Sequence, residues 1–61
     1  MRLYVEPMDA VVLEVTDDGR VRLEGEDLAV PTLQERRAIL FAAHGEIEAL
    51  AELVDILERQ R

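Results

Sequence analysis

The sequence contains no Cys, Ser, Lys, Asn or Trp. Without cysteine the chain forms no disulfide and offers no thiolate to a metal, which leaves the redox compartment open. Without serine or cysteine it lacks the two commonest nucleophiles, and no glycine-rich phosphate loop is present. His44 shares a helix face with Glu48, but a metal site needs further ligands that no spacing supplies. We therefore predict no catalytic residue, no metal, no cofactor and no enzymatic activity.

Long hydrophobic runs are also missing. No apolar stretch approaches the ~20 residues that span a membrane, and no signal-peptide pattern opens the chain, so we expect a soluble cytoplasmic protein without a membrane partner. The absence of lysine, asparagine and cysteine fits a thermophile or a biased genome, and the acidic excess fits a high-salt cytoplasm. These alternatives stay open, as does a cellular or phage origin.

Basic residues are few. Fourteen Asp and Glu face seven Arg, and the net charge of −7 is spread along the chain. Such a charge repels phosphate backbones and anionic membranes over a Debye length. Nucleic-acid binding is therefore disfavoured in general, and a basic protein partner is favoured.

The length of 61 residues allows one small domain, residues 1–61. A chain of this size buries only about 60% of the surface that its unfolded form exposes, so a monomer would be marginally stable. Because disulfides and structural metals are not expected, oligomerisation is the remaining way to complete the core.

Residues 2–24 predict three antiparallel strands, because apolar and polar residues alternate in three short runs. Asp17-Asp18-Gly19 is typical of a three-residue hairpin loop in which Gly19 adopts positive φ. Pro7-Met8-Asp9 is the predicted first turn. Together the two turns place the second strand at the centre and all apolar residues on one face. The predicted pairs are Val15–Val21, Glu14–Arg22, Leu13–Leu23, Val5–Val11 and Leu3–Leu13.

Residues 25–31 form a connector, and residues 32–61 predict a helical oligomerisation segment. Thr32 and Glu35 have the spacing of a capping box, in which each side chain bonds the backbone N–H of the other. Pro31 precedes this box, at a point where a helix cannot yet be running. The helix is therefore predicted to begin directly after Thr32.

A heptad pattern runs through this segment. Such a stripe stays on one side of a slightly underwound helix and favours a partner helix. Ile39 and Leu53 widen the stripe beyond a dimeric seam, which suits a bundle or a helix lying on a sheet. The first set of heptad positions is Leu33, Leu40, Ile47 and Val54, and the second set is Arg36, Ala43, Leu50 and Leu57. The predicted contact in a homodimer or homotetramer consists of Leu40, Ile47, Leu50, Val54 and Leu57.

Gly45 leaves two alternatives. In a helix interior it costs about 1 kcal/mol relative to alanine, and it could instead end a first helix in a helix-turn-helix hairpin. Continuity is favoured because the heptad passes through Gly45 without a phase shift and no residue that could cap a second helix follows.

Two further surfaces could contact a partner. Arg20 and Arg22 project from one face of the third strand, where alternating arginines can enter a DNA groove if a dimer presents the strands as a ribbon. The outer side of the helix is acidic and could attract a basic protein. The candidate partner residues are Arg2, Tyr4, Arg20, Arg22, Phe41, Glu48, Glu52 and Asp55.

Two families show partial similarity. The strand, helix, glycine turn and helix order of residues 20–60 resembles ribbon-helix-helix regulators, although Gly45-Glu46-Ile47 lacks their usual Ser or Thr cap. Residues 18–23, with Glu26 and Leu28, resemble the hairpin of swapped-hairpin AbrB-type antitoxins, with Glu24-Gly25 in place of the usual proline. Both resemblances imply dimeric regulators or antitoxins.

The sequence thus predicts an α+β fold, a three-stranded antiparallel β-meander followed by a long amphipathic helix in an obligate oligomer. The function expected first is a non-enzymatic, acidic, self-associating interaction module or small adaptor. The alternative is an antitoxin-like or ribbon-type transcription regulator that binds DNA through Arg2, Arg20 and Arg22.

Overall fold

The computed structural model describes residues 1–60, and Arg61, the last residue of the predicted helical segment, lies outside them. Strands β1 (Leu3–Val5), β2 (Ala10–Val15) and β3 (Val21–Leu23) form an antiparallel sheet with β2 at its centre. Helix α1 (Leu33–Arg59) follows. The predicted α+β meander and helix are confirmed, and α1 runs through Gly45 as one helix.

The second hairpin has the predicted loop. The Thr16 amide donates to the Arg20 carbonyl at 2.9 Å, and Gly19 has φ +87°, a conformation that favours glycine. The predicted pairs Val15–Val21 and Glu14–Arg22 are present. The loop Asp17-Asp18-Gly19 therefore joins β2 and β3 in the predicted register at this end of the sheet.

The first hairpin differs from its prediction by one residue. A short 3₁₀ helix, Glu6–Met8, and Asp9 in the left-handed conformation make a four-residue loop instead of a three-residue turn. The Asp9 amide closes it by donating to the Glu6 carbonyl at 3.0 Å. The observed pairs are Val5–Ala10 and Leu3–Val12, so the predicted pairs Val5–Val11 and Leu3–Leu13 are wrong.

A β-bulge in β2 accounts for the third difference. The register shifts between Val12 and Glu14, so Leu23 pairs with Val12 and the predicted pair Leu13–Leu23 is wrong. Leu13 is the extra residue, and it allows Val12 and Val15 to share a face although they are three positions apart. Val12 is consequently fully buried, while Val11 and Leu13 are half-buried.

The connector returns to the sheet before the helix begins. Ala29 and Val21 exchange two backbone hydrogen bonds, of 2.8 and 2.9 Å, which brings Val30 and Pro31 beside the end of the second hairpin. The capping box is confirmed, since Thr32 Oγ1 accepts from the Glu35 amide at 3.1 Å and Glu35 Oε1 accepts from the Thr32 amide at 2.8 Å.

The core lies between the sheet and the first half of α1. Its buried cluster is Leu3, Val5, Val12 and Leu23, and the helix covers it with the half-buried Ala38, Ile39, Ala42 and Ala43. Small side chains at three of these four helix positions let α1 approach the sheet closely. The second half of the helix extends past the sheet, and residues 44–60 are all exposed.

Candidate interaction surface

The eight heptad residues, which we call the seam, lie on one continuous side of α1. None of the described helix residues is buried, although the segment Leu33–Arg59 is 27 residues long and about 40 Å in length. The five predicted contact residues are 48% to 62% exposed: Leu40, Ile47, Leu50, Val54 and Leu57. The structure therefore brings these residues to one surface and leaves about half of each one exposed within the chain.

The exposed area of the whole chain is large for its mass. A compact protein of 6.9 kDa is expected to expose about 4,000 Å², whereas this chain exposes 5160 Å². Its radius of gyration is 13.9 Å, compared with about 10.5 Å for a compact chain of this length. The excess of about 1,200 Å² reflects the protruding helix, and much of the protruding surface is apolar.

An apolar cleft lies beside the seam, between the second hairpin, the connector and α1. It has a volume of about 500 Å³. Most of its lining is apolar, including Val15, Val21, Val30 and Ile39. The acidic loop residues Asp17 and Asp18 and the seam residues Arg36 and Leu40 also line it. Sequence reasoning missed this cleft, because it depends on where the connector lies. The one signal was the apolar character of the connector at Leu28 and Val30.

The outer side of the helix carries the predicted acidic surface. Glu48, Glu52 and Asp55, which we call the acidic stripe, project away from the seam, and Phe41 continues this side toward the sheet with 77% of its surface exposed. Phe41 also lines a shallow depression with Tyr4. Among these three acids only Asp55 has an ion-pair partner in the described chain, Arg59 at 3.0 Å.

The predicted sheet arginines are each paired with an acid. The distances are 3.4 Å for Arg2–Glu24, 3.4 Å for Arg20–Asp18 and 3.2 Å for Arg22–Glu14. Exposed pairs of this kind contribute about 0–1 kcal/mol, so their effect on stability is small. They nevertheless neutralise the face that would have to attract a phosphate backbone.

Tyr4 lies beside Asp9 of the first loop. Its hydroxyl donates to Asp9 Oδ1 at 3.0 Å, and this hydrogen bond, together with the negative charge of Asp9, raises the pKa of Tyr4. Within residues 1–60 no group of three or more acidic, His or Cys side chains is placed to hold a metal ion. None of the described helices is both long and apolar enough to cross a membrane.

Comparison with known families, curated proteins and solved structures finds no match for this chain.

Proposed function

We propose that the chain is a non-enzymatic, self-associating protein–protein interaction module of the cytoplasm, a homodimer or homotetramer in which the seam is the contact between copies. One observation carries this proposal. The exposed area exceeds that of a compact protein by about 1,200 Å², more than the ~800 Å² that each partner buries in a standard interface.

The small core supports the same proposal. Five residues are buried among those described: Leu3, Val5, Val12, Val21 and Leu23. Burying the apolar side chains of the seam between copies would add a second core of similar size. Each such side chain contributes about 1.5–3 kcal/mol when it is fully buried, and less here because the seam is already half-covered.

The acidic stripe gives the module a surface for a second partner. It projects away from the seam and stays accessible when the seam is covered. Its carboxylates would attract a basic protein, and Phe41 would supply an apolar anchor beside them. The proposed role is thus that of a small adaptor or regulator, with an oligomer that displays several acidic stripes at once.

A DNA-binding regulator is the weaker alternative. It would need Arg2, Arg20 and Arg22 to contact phosphates or bases, and each of these guanidinium groups already has a carboxylate at 3.2–3.4 Å. No described feature of the sheet face favours it over self-association.

Sedimentation equilibrium tests the proposal. The wild-type chain should sediment at twice its 6.9 kDa mass or more. Leu50→Glu should sediment as a monomer, because burying an unpaired carboxylate at a seam position costs about 3 kcal/mol or more. Phe41→Glu is the matched control: it adds the same charge to the same helix on the side away from the seam, and it should keep the wild-type mass.

Two results would contradict the proposal. One is a wild-type chain that remains at 6.9 kDa up to millimolar concentration. The other is a Leu50→Glu variant that keeps both the wild-type mass and the wild-type melting temperature.

A further inference from the structure

The two halves of α1 carry opposite net charge. Residues 33–44 contain one acid and two arginines, a net of +1, whereas residues 45–60 contain five acids and one arginine, a net of −4. Arg36 and Arg37 make no ion pair with any described residue. If two helices lay parallel, the two acidic halves would be side by side, and an antiparallel pair would place each acidic half against a basic one.

The seam matches itself in the antiparallel direction. When a two-fold axis passes beside Gly45, residues equally distant from Gly45 along the two helices face each other. Every residue of the first heptad set then meets one of the second set. The facing pairs are Leu40–Leu50, Leu33–Leu57, Val54–Arg36 and Ile47–Ala43, and Ala43 is already half-buried against the sheet of its own chain. The seams of the two copies thus pack against each other along their whole length, and Gly45 lies on the outer side of the helix, away from the contact.

The cleft lies on the side where this arrangement needs an apolar surface. Ile39 and Leu53 each precede a residue of the first heptad set, so they occupy the same flank of the seam. In an antiparallel pair equal flanks are adjacent, and Leu53 of one copy approaches Ile39 of the other. Because Ile39 lines the cleft, Leu53 of the second copy enters it and covers Val30, which is 74% exposed in the single chain.

We propose that two copies of this chain associate through antiparallel helices, so that the acidic half of each α1 covers the cleft and the Arg36–Arg37 pair of the other. This inference rests on the proposed self-association and assigns its geometry. Arg37 and Glu58 each follow a residue of the second heptad set and therefore share the opposite flank. They are offset by about 7.5 Å along the helix axis, and their long side chains span this offset to form an ion pair across the contact. Glu46 approaches its own copy near the axis, so Glu46→Gln should tighten the dimer.

Pulsed electron paramagnetic resonance distinguishes the two orientations. The natural chain has no cysteine, so Gln34→Cys gives one spin label per copy on the exposed side of α1. In the antiparallel dimer the two labels are separated by about 33 Å along the helix axis. In a parallel dimer they lie at the same height, separated only by the helix spacing of about 10 Å and the reach of the labels. A label at Gly45→Cys is the control: it lies at the height of the axis on the outer side of each helix, so the two labels have no separation along the helix axis in either orientation. In the antiparallel dimer it should give a shorter distance than the label at Gln34.

The outcomes separate this inference from the proposed function. A long distance at Gln34 with a shorter one at Gly45 supports the antiparallel dimer. A distance at Gln34 that is no longer than the one at Gly45 overturns the orientation and leaves self-association standing. No measurable distance at either position, together with a monomeric mass, overturns both proposals.

Charge reversal provides a second test that does not depend on labels. Arg37→Glu and Glu58→Arg should each weaken the dimer about 10-fold, since the pair occurs twice in each dimer, and the double variant should restore wild-type affinity. Glu52→Arg is the matched control, because it makes the same charge change on the side away from the contact and should not weaken the dimer. A double variant that is weaker than either single variant would overturn the inference.

Discussion

Replacing Val12 by alanine should destabilise the chain more than replacing its neighbour Val11. Val12 is fully buried against the core, whereas Val11 is half-buried. The change removes two methyl groups, each worth about 0.8 kcal/mol, and leaves a cavity that the small core cannot easily close. We expect a loss of about 2–3 kcal/mol for Val12→Ala and about 1 kcal/mol or less for Val11→Ala.

This loss is large relative to the total stability, which is about 3–9 kcal/mol for a domain of this length. Urea unfolding followed by far-UV circular dichroism measures both variants, with protein concentration held fixed because association would shift the midpoint. The two residues are the same type on the same strand, so strand propensity cancels in the comparison. If Val11→Ala proved the costlier change, the first loop would have three residues and the bulge at Leu13 would not exist.

Two further predictions concern local conformation and titration. Gly45→Ala should stabilise the protein by about 1 kcal/mol in thermal unfolding, because Gly45 is helical and an added Cβ meets nothing within 4 Å. Gly19→Ala should destabilise the protein, because the φ of Gly19 is +87°. A destabilising Gly45→Ala would contradict a continuous helix. Tyr4, the single tyrosine, should ionise above its ordinary pKa of about 10 in an ultraviolet titration, and Asp9→Asn should lower that midpoint. The folded chain favours the neutral phenol, so this group stabilises the fold below the pKa that Tyr4 has in the unfolded chain. The stabilisation disappears as the pH rises through the pKa that Tyr4 has in the folded chain. An unchanged midpoint in Asp9→Asn would contradict the role of Asp9.

The sequence predicts those parts of the fold that depend on neighbouring residues. The capping box at Thr32 and Glu35 locates the start of α1, and Asp17-Asp18-Gly19 locates the second hairpin, because both use side-chain or backbone geometry that few residues provide. Alternation predicts three strands, but it does not select the register of β2. Val11, Val12 and Leu13 are consecutive apolar residues. An apolar inner face therefore results whether Val12 points toward the core or Val11 and Leu13 do.

The interaction surface likewise has one part that the sequence predicts and one part that it does not. The seam is visible in the sequence because heptad spacing alone places its residues on one side of a helix. The cleft depends on the bridge between Ala29 and Val21, which joins a connector to the edge of β3 and has no periodic signal. The neutralisation of Arg22 by Glu14, in contrast, follows from the hairpin register that the sequence predicts.

The exposure of residues 44–60 links association to the helix itself. An isolated helix of about 15 residues is marginal in water, and this segment has no buried side chain to stabilise it. The Asp55–Arg59 pair and the favourable position of Arg59 near the helix end add only a few tenths of a kcal/mol each. A monomer that loses its partner should therefore also lose helix beyond the sheet. Because the same surface stabilises the helix and joins the two copies, helix content should rise with protein concentration in proportion to the fraction of dimer.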